Sequence, residues 1–244
     1  MPKDATKSRA RPSKPGPSNA KKPKDPKASH LYTDDNPATT IHGTGFKDAA
    51  AALRTLDLIN QRSLTYQFQT VNTMYNRAKH HPSMKKKVEG SSGLADMCAA
   101  MDIFRTWLDE TYPTQRAALR AGGFKPLLSK ALVERFLPRI EADSTIAEDA
   151  KVFARKYATL PKGKRLGNVL VDDTRPREPD WERKRYDSLD ALVPVSGENT
   201  DHDWSPLDLW AEGHEPSARH LSMLAWAWSP VAESKLSSQL KLSE

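Results

Sequence analysis

The sequence predicts a mainly α fold: an irregular multi-helix bundle with at most one short two-stranded β element, preceded by a disordered basic tail. Three observations carry this expectation. Apolar side chains recur at helical spacing in successive segments between Asp48 and Tyr157. Short polar or Gly-containing links separate these segments, as in helical bundles. Residues 1–30 hold six prolines and nine Lys/Arg with almost no apolar side chain, so burial there cannot offset the entropy of ordering.

The elements follow in order. "TTIHGTGF" (39–46) is a short extended piece with a Gly turn, and it contains neither phosphate-loop spacing of glycines. The first helix is predicted over 48–61 with Leu53, Leu56 and Ile59 inward. The second runs over about residues 64–80 on the stripe Leu64, Phe68, Val71, Met74 and Ala78, and Pro82 ends it. The third carries Leu94, Met97, Met101, Phe104 and Leu108. Thr114 caps a short helix that stops at Gly122, Ser129 caps one interrupted by Pro138, and Ser144 opens another with Ile146, Phe153 and Tyr157 inward. "NVLV" (168–171) is the best strand candidate, expected to pair with the extended piece before Gly43. Asp180, Ser205 and Ser217 then mark three further helix starts, the last of them ended by Pro230. The expected organisation is a disordered tail over 1–38 and a helical bundle over 39–160. A Trp-rich helical extension over 161–230 packs on that bundle, and 231–244 is a C-terminal tail.

Charge is more informative by position than in total. The chain of 244 residues carries a formal net charge of +7 and a pI near 9.4. Residues 1–30 hold nine basic side chains against Asp4 and Asp25, so the tail alone accounts for +7 and the rest holds 29 of each sign. The body is polarised, with 21 basic and 14 acidic groups over 31–167 against 5 and 13 over 168–218. "KKPK" (21–24) fits the K-K-x-K pattern of a nuclear import signal. The lone Cys98 forms no internal disulfide, which fits a reducing compartment. No apolar run reaches the ~20 residues of a membrane helix. These features predict an intracellular protein, nuclear rather than cytoplasmic, with no membrane partner.

No motif of high specificity announces an activity. Opposite its apolar stripe the second helix reads Arg62, Tyr66, Gln69, Thr73, Asn76 and His80, side-chain types that hydrogen-bond base edges. "YNRAK" (75–79) is similar in composition to a homeodomain recognition helix. That family places an aromatic pair and one variable residue before Asn-Arg, whereas Asn76 follows Tyr75 directly, so no residue role is carried over. Lys85, Lys86 and Lys87 form a cluster outside any helix that can attract phosphate. Adjacent His80 and His81 point about 100° apart on a helix and do not share a metal. Asp172-Asp173 reads as an Asx turn rather than a magnesium site. Five of the six tryptophans lie in the last 64 residues, where acidic loops could accept their indole N–H groups.

The expectation is a non-enzymatic helical interaction protein, with no catalytic residue, metal or cofactor. Its tail contacts nucleic acid or another polyanion non-specifically through Lys21, Lys22 and Lys24, aided by Lys85, Lys86 and Lys87. A protein partner would meet Trp204 and Trp210. The alternatives are an enzyme using Arg62, Tyr66, Asn76 and His80, or a pure adaptor gripping its partner through the Trp-rich part.

Overall fold

The stripe on the second predicted helix is the backbone of the observed architecture. In the computed structural model, which describes residues 41–86, 92–121, 125–193, 204–211 and 215–242, Val71, Met74 and Ala78 are buried and Leu64 and Phe68 pack beside them. The first half comprises α1 (Ala49–Ile59), α2 (Leu64–Lys79), α3 (Pro82–Lys86), α4 (Ser92–Thr106) and α5 (Tyr112–Ala121). The second comprises α6 (Lys130–Ala142), α7 (Glu148–Ala158), α8 (Trp181–Leu192), α9 (Pro206–Leu209), α10 (Ala218–Ala225) and α11 (Glu233–Leu242). All belong to one compact unit, Pro37–Glu244. The fold is mainly α, with no sheet among the described residues. The tail expected over 1–38 lies outside them.

Helix starts follow side-chain chemistry. Asp48, Ser63, Ser129, Asp180 and Ser217 each accept a hydrogen bond from a backbone N–H of the first turn they cap. α1 differs in its inward face. Leu53 is 58% exposed, and the buried stripe is Ala51, Ala52, Thr55, Leu58 and Ile59. The small side chains let α4 approach closely, and the Thr55 hydroxyl anchors the preceding turn by accepting from Gly45 N at 2.8 Å.

α4 does not stop before α5. One π turn, Trp107–Thr111, joins them, and the Thr114 hydroxyl donates to the Glu110 carbonyl instead of capping a new helix. Pro138 is accommodated inside α6 because its face is exposed, so the carbonyl left without an N–H partner can meet water. α7 starts at Glu148 rather than at Ser144, and Asp143 holds the preceding turn through Thr145.

Two main apolar cores divide the chain near residue 125 rather than at 160, with a small satellite cluster of Ala78, Met97 and Met101 beside the first. One joins Ile41, Val71, Phe104 and Trp107 across α1, α2 and α4. The larger runs from Leu128 to Leu236 and places Phe153 of α7 between Trp181 and Trp226, with ring centroids 5.9 and 5.0 Å away. α6 and α7 therefore share their core with the Trp-rich region. The segment 231–244, expected as a tail, contains α11 and buries Val231 and Leu236 in that core.

The strand candidate is also re-paired. Leu170 forms a single antiparallel bridge with Asp180, and Trp181 N donates to Val169 O at 2.9 Å. A partner ten residues away costs less loop entropy than one before Gly43. α10 ends in a Schellman motif, with Trp228 N donating to Met223 O and Ala227 N to Leu224 O. The left-handed position is filled by Ala227 at φ 53°, where glycine is usual.

Candidate functional site

Between the two cores runs a polar seam that the helical periodicity of α2 did not reveal. Arg62 precedes the Ser63 cap, so it lies outside α2 and points into the interior, 2% exposed. Its Nε donates to Asp180 Oδ2 at 3.1 Å, and its two terminal nitrogens donate to the Pro176 and Gly167 carbonyls at 3.0 and 2.9 Å. Tyr66 stacks its ring 3.7 Å from the guanidinium carbon. Asp180 is fully buried. It accepts from Ser63 N at 2.9 Å with Oδ2 and caps α8 by accepting from Arg183 N at 3.0 Å with Oδ1. One turn on, the Thr65 hydroxyl donates to Glu182 Oε1 at 2.6 Å. Gly167 closes the seam, because a Cβ there would stand 2.8 Å from both Ser63 Oγ and Glu182 Oε2.

This arrangement separates the four residues of the enzyme alternative. Arg62 and Tyr66 belong to the seam, whereas Asn76 and His80 are exposed about 15–27 Å further along the helix axis at ~1.5 Å per residue. Asn76 donates to the Asn72 carbonyl at 2.8 Å, as a solvated helix face does. His81 accepts from Ser83 N and meets Phe46 edge-on. Lys85 and Lys86 close α3 rather than standing outside a helix. Their side chains, and all of Lys21, Lys22, Lys24 and Lys87, lie outside what the structure describes.

Asp172 is an Asx turn. The Thr174 hydroxyl and N–H bond its Oδ1 at 2.6 and 2.9 Å and, with Arg175 on Oδ2, hold its pKa down to about 2. Among the described residues no group of three or more His, Cys, Asp or Glu could hold a metal. Trp204 is 6% exposed and Trp210 half-buried, edge-on to His220. The indole N–H groups of Trp181 and Trp204 find no acceptor among the described residues, and the acidic loop expected to accept them, 197–203, lies outside those residues.

Two clefts of about 670 Å³ each flank the first half of α8, and Thr65, Glu182 and Tyr186 line both. The first is of mixed charge, with Arg116, Arg120 and Arg183 facing Asp187 and Asp190 beside Trp107. The second carries Lys125, Lys130, Lys162, Lys164, Arg165 and Arg185, with Glu182 the only carboxylate among its described lining residues. Burial pushes the Glu182 carboxyl above the usual carboxylate range, against the pull of the Thr65 hydrogen bond.

Arg185 and Lys125 are the residues that sequence reasoning missed. Arg185 is 2% exposed and donates to the carbonyls of Trp226, Lys125, Pro126 and Ala227 at 2.8–3.3 Å. It pins the left-handed turn at Ala227 to the chain entering α6, and burial lowers its pKa to about 10. A signal was present: Trp181, Arg185 and Leu189 fall at i, i+4 and i+8, which puts an arginine on the apolar stripe. Lys125 is 4% exposed and pairs with Asp190 at 2.6 Å.

His220 closes the far side of the second core. Its Nδ1 lies 2.9 Å from the Leu209 carbonyl, which can only accept, so Nδ1 carries the proton. Nε2 therefore accepts from the Ser229 hydroxyl at 2.8 Å, and Val231 N donates to the same oxygen. The Ser–His pair is fully engaged in closing the turn after α10. No family model matches the chain, and neither the curated proteins nor the solved structures contain a match to it.

Proposed function

We propose that this is a helical interaction protein whose basic N-terminal tail contacts nucleic acid or another polyanion without sequence specificity. The observation that carries the reading is the placement of charge. Residues 1–30 account for the whole net charge of +7, while the other residues hold equal numbers of each sign. Clustered cations on a segment poor in apolar side chains gain affinity by releasing counterions from phosphates. Deleting residues 1–30 abolishes binding to generic duplex DNA in an anisotropy titration. Undiminished binding by the shortened chain sinks the reading.

The "KKPK" run at 21–24 supports a nuclear location as part of this reading. A fluorescent fusion concentrates there, and replacing Lys21, Lys22 and Lys24 by Ala disperses it. A wild-type fusion excluded from the nucleus rejects the assignment.

The folded body supplies protein contacts. The face of α9 supports this, because Leu207 is 85% exposed three residues before the half-buried Trp210. Trp204 contributes from beneath, through its packing against Trp228 with ring centroids 6.4 Å apart.

A further inference from the structure

We propose that the cationic cleft beside α8 binds a small phosphate-bearing organic molecule. Its phosphate sits at the rim formed by Lys162, Lys164 and Arg165, and its organic part lies against Leu127, Leu160 and Tyr186.

The rim comes from the turn after α7, the "PKGKRLG" segment at 161–167. Gly163, at φ 87°, takes the left-handed conformation that reverses the chain there, and the lysine on each side of it lines the cleft. The side chains of Lys162, Lys164 and Arg165 are exposed and make no hydrogen bond or ion pair with any described residue. The other cations of the cleft are occupied. Lys125 holds Asp190, Lys130 donates to the Leu160 carbonyl, and Arg185 holds its four carbonyls. Three cations with no partner among the described residues therefore converge on one opening.

The wall beneath them adds to the field. Arg185 is a buried positive charge with no carboxylate at ion-pair distance among the described residues. The carbonyls accept from Nε and Nη2 without cancelling the charge, and in a low-dielectric interior that charge acts over a longer range than in water.

Size and lining select the ligand class. A volume of about 670 Å³ falls within the roughly 300–1,000 Å³ of small-molecule sites. Below the rim the wall is apolar or aromatic: Pro126, Leu127, Leu160, Leu166, Tyr157 and Tyr186. Leu127 is 46% exposed there. A charged mouth over an apolar wall fits an anionic head on an organic body. A polyanion needs a cationic track along the surface instead.

The test is a titration of the full-length ¹⁵N-labelled protein by nuclear magnetic resonance, with ATP, pyrophosphate, adenosine and a short DNA duplex as probes. ATP shifts the Gly163, Lys164 and Arg165 amides saturably. Pyrophosphate and adenosine, each holding one half of the recognition, bind about tenfold more weakly or worse. The triple variant K162A/K164A/R165A, altered only at exposed positions, keeps its spectrum and loses at least about tenfold in ATP affinity. Shifts confined to residues 1–30, shifts that never saturate, or an unchanged triple variant overturn the proposal. Pyrophosphate or adenosine equal to ATP does so as well. A duplex that moves these amides at lower concentration than ATP replaces the small ligand with nucleic acid. The ATP, pyrophosphate and adenosine outcomes at Gly163, Lys164 and Arg165 do not depend on whether the tail binds DNA.

Discussion

Asp180→Ala is expected to destabilise the protein by about 3–5 kcal/mol in chemical denaturation, the cost of leaving a buried ion pair half broken. Three interactions disappear together. Arg62 loses the carboxylate 3.1 Å from its Nε, Ser63 N loses its acceptor, and α8 loses its cap. Asp180→Asn separates these effects, because an amide oxygen can still cap α8 while the charge on Arg62 stays uncompensated. It should recover only the capping share, about 1 kcal/mol. The double variant R62M/D180A removes both charges and should be more stable than the sum of its single changes predicts. A loss below about 1 kcal/mol in Asp180→Ala would mean that the seam does not join the two cores.

Acid should weaken the fold through His220. Burial lowers its pKa to about 4, against an ordinary value of 6.5, and the hydrogen bond to Leu209 only partly opposes this. The folded state therefore prefers the neutral ring. The contribution is complete above pH 6.5, falls as the unfolded chain takes up its proton, and is exhausted once pH drops through about 4. The gap corresponds to about 3 kcal/mol lost over that window. The geometry explains the direction, since Nε2 accepts from Ser229 and a protonated ring would turn a donor toward that hydroxyl. His220→Gln, even if less stable at neutral pH, should flatten the dependence between pH 6.5 and 4. An unchanged slope in that variant would assign the acid sensitivity elsewhere.

Much of the fold was legible because local chemistry decides it. Ser63, Ser129, Asp180 and Ser217 announced their helices, and the stripe from Leu64 to Ala78 named the buried face of α2. What escaped depends on contacts distant in sequence. Helical periodicity extended one residue beyond the Ser63 cap puts Arg62 on a solvated side. It is buried because Asp180, 118 residues away, is there to receive it. Leu53 has the spacing of a core residue, yet α4 approaches along the neighbouring stripe of alanines, which no hydrophobic count favours. α11 reads as a tail in the sequence because its only deeply buried side chain, among those described, is Leu236.

The candidate site was less legible than the fold. The basic turn at 161–167 was visible as a charge run, but its role as a rim depends on α8 and on the chain entering α6. Arg185 carried the clearest overlooked signal, a cation at an apolar position of an amphipathic helix. An arginine buried against four carbonyls cannot be deduced from spacing, since those acceptors come from residues 125–126 and 226–227.

The central claim, that affinity for polyanions resides in the tail, is tested most directly by the salt dependence of binding to generic duplex DNA. If six or more of the nine tail cations engage phosphates, the affinity of the full chain falls by about 10³-fold or more between roughly 50 and 200 mM salt. Replacing those nine side chains by Gln flattens the slope. An affinity that changes less than about twofold over the same range, or a slope that survives the replacement, contradicts the claim.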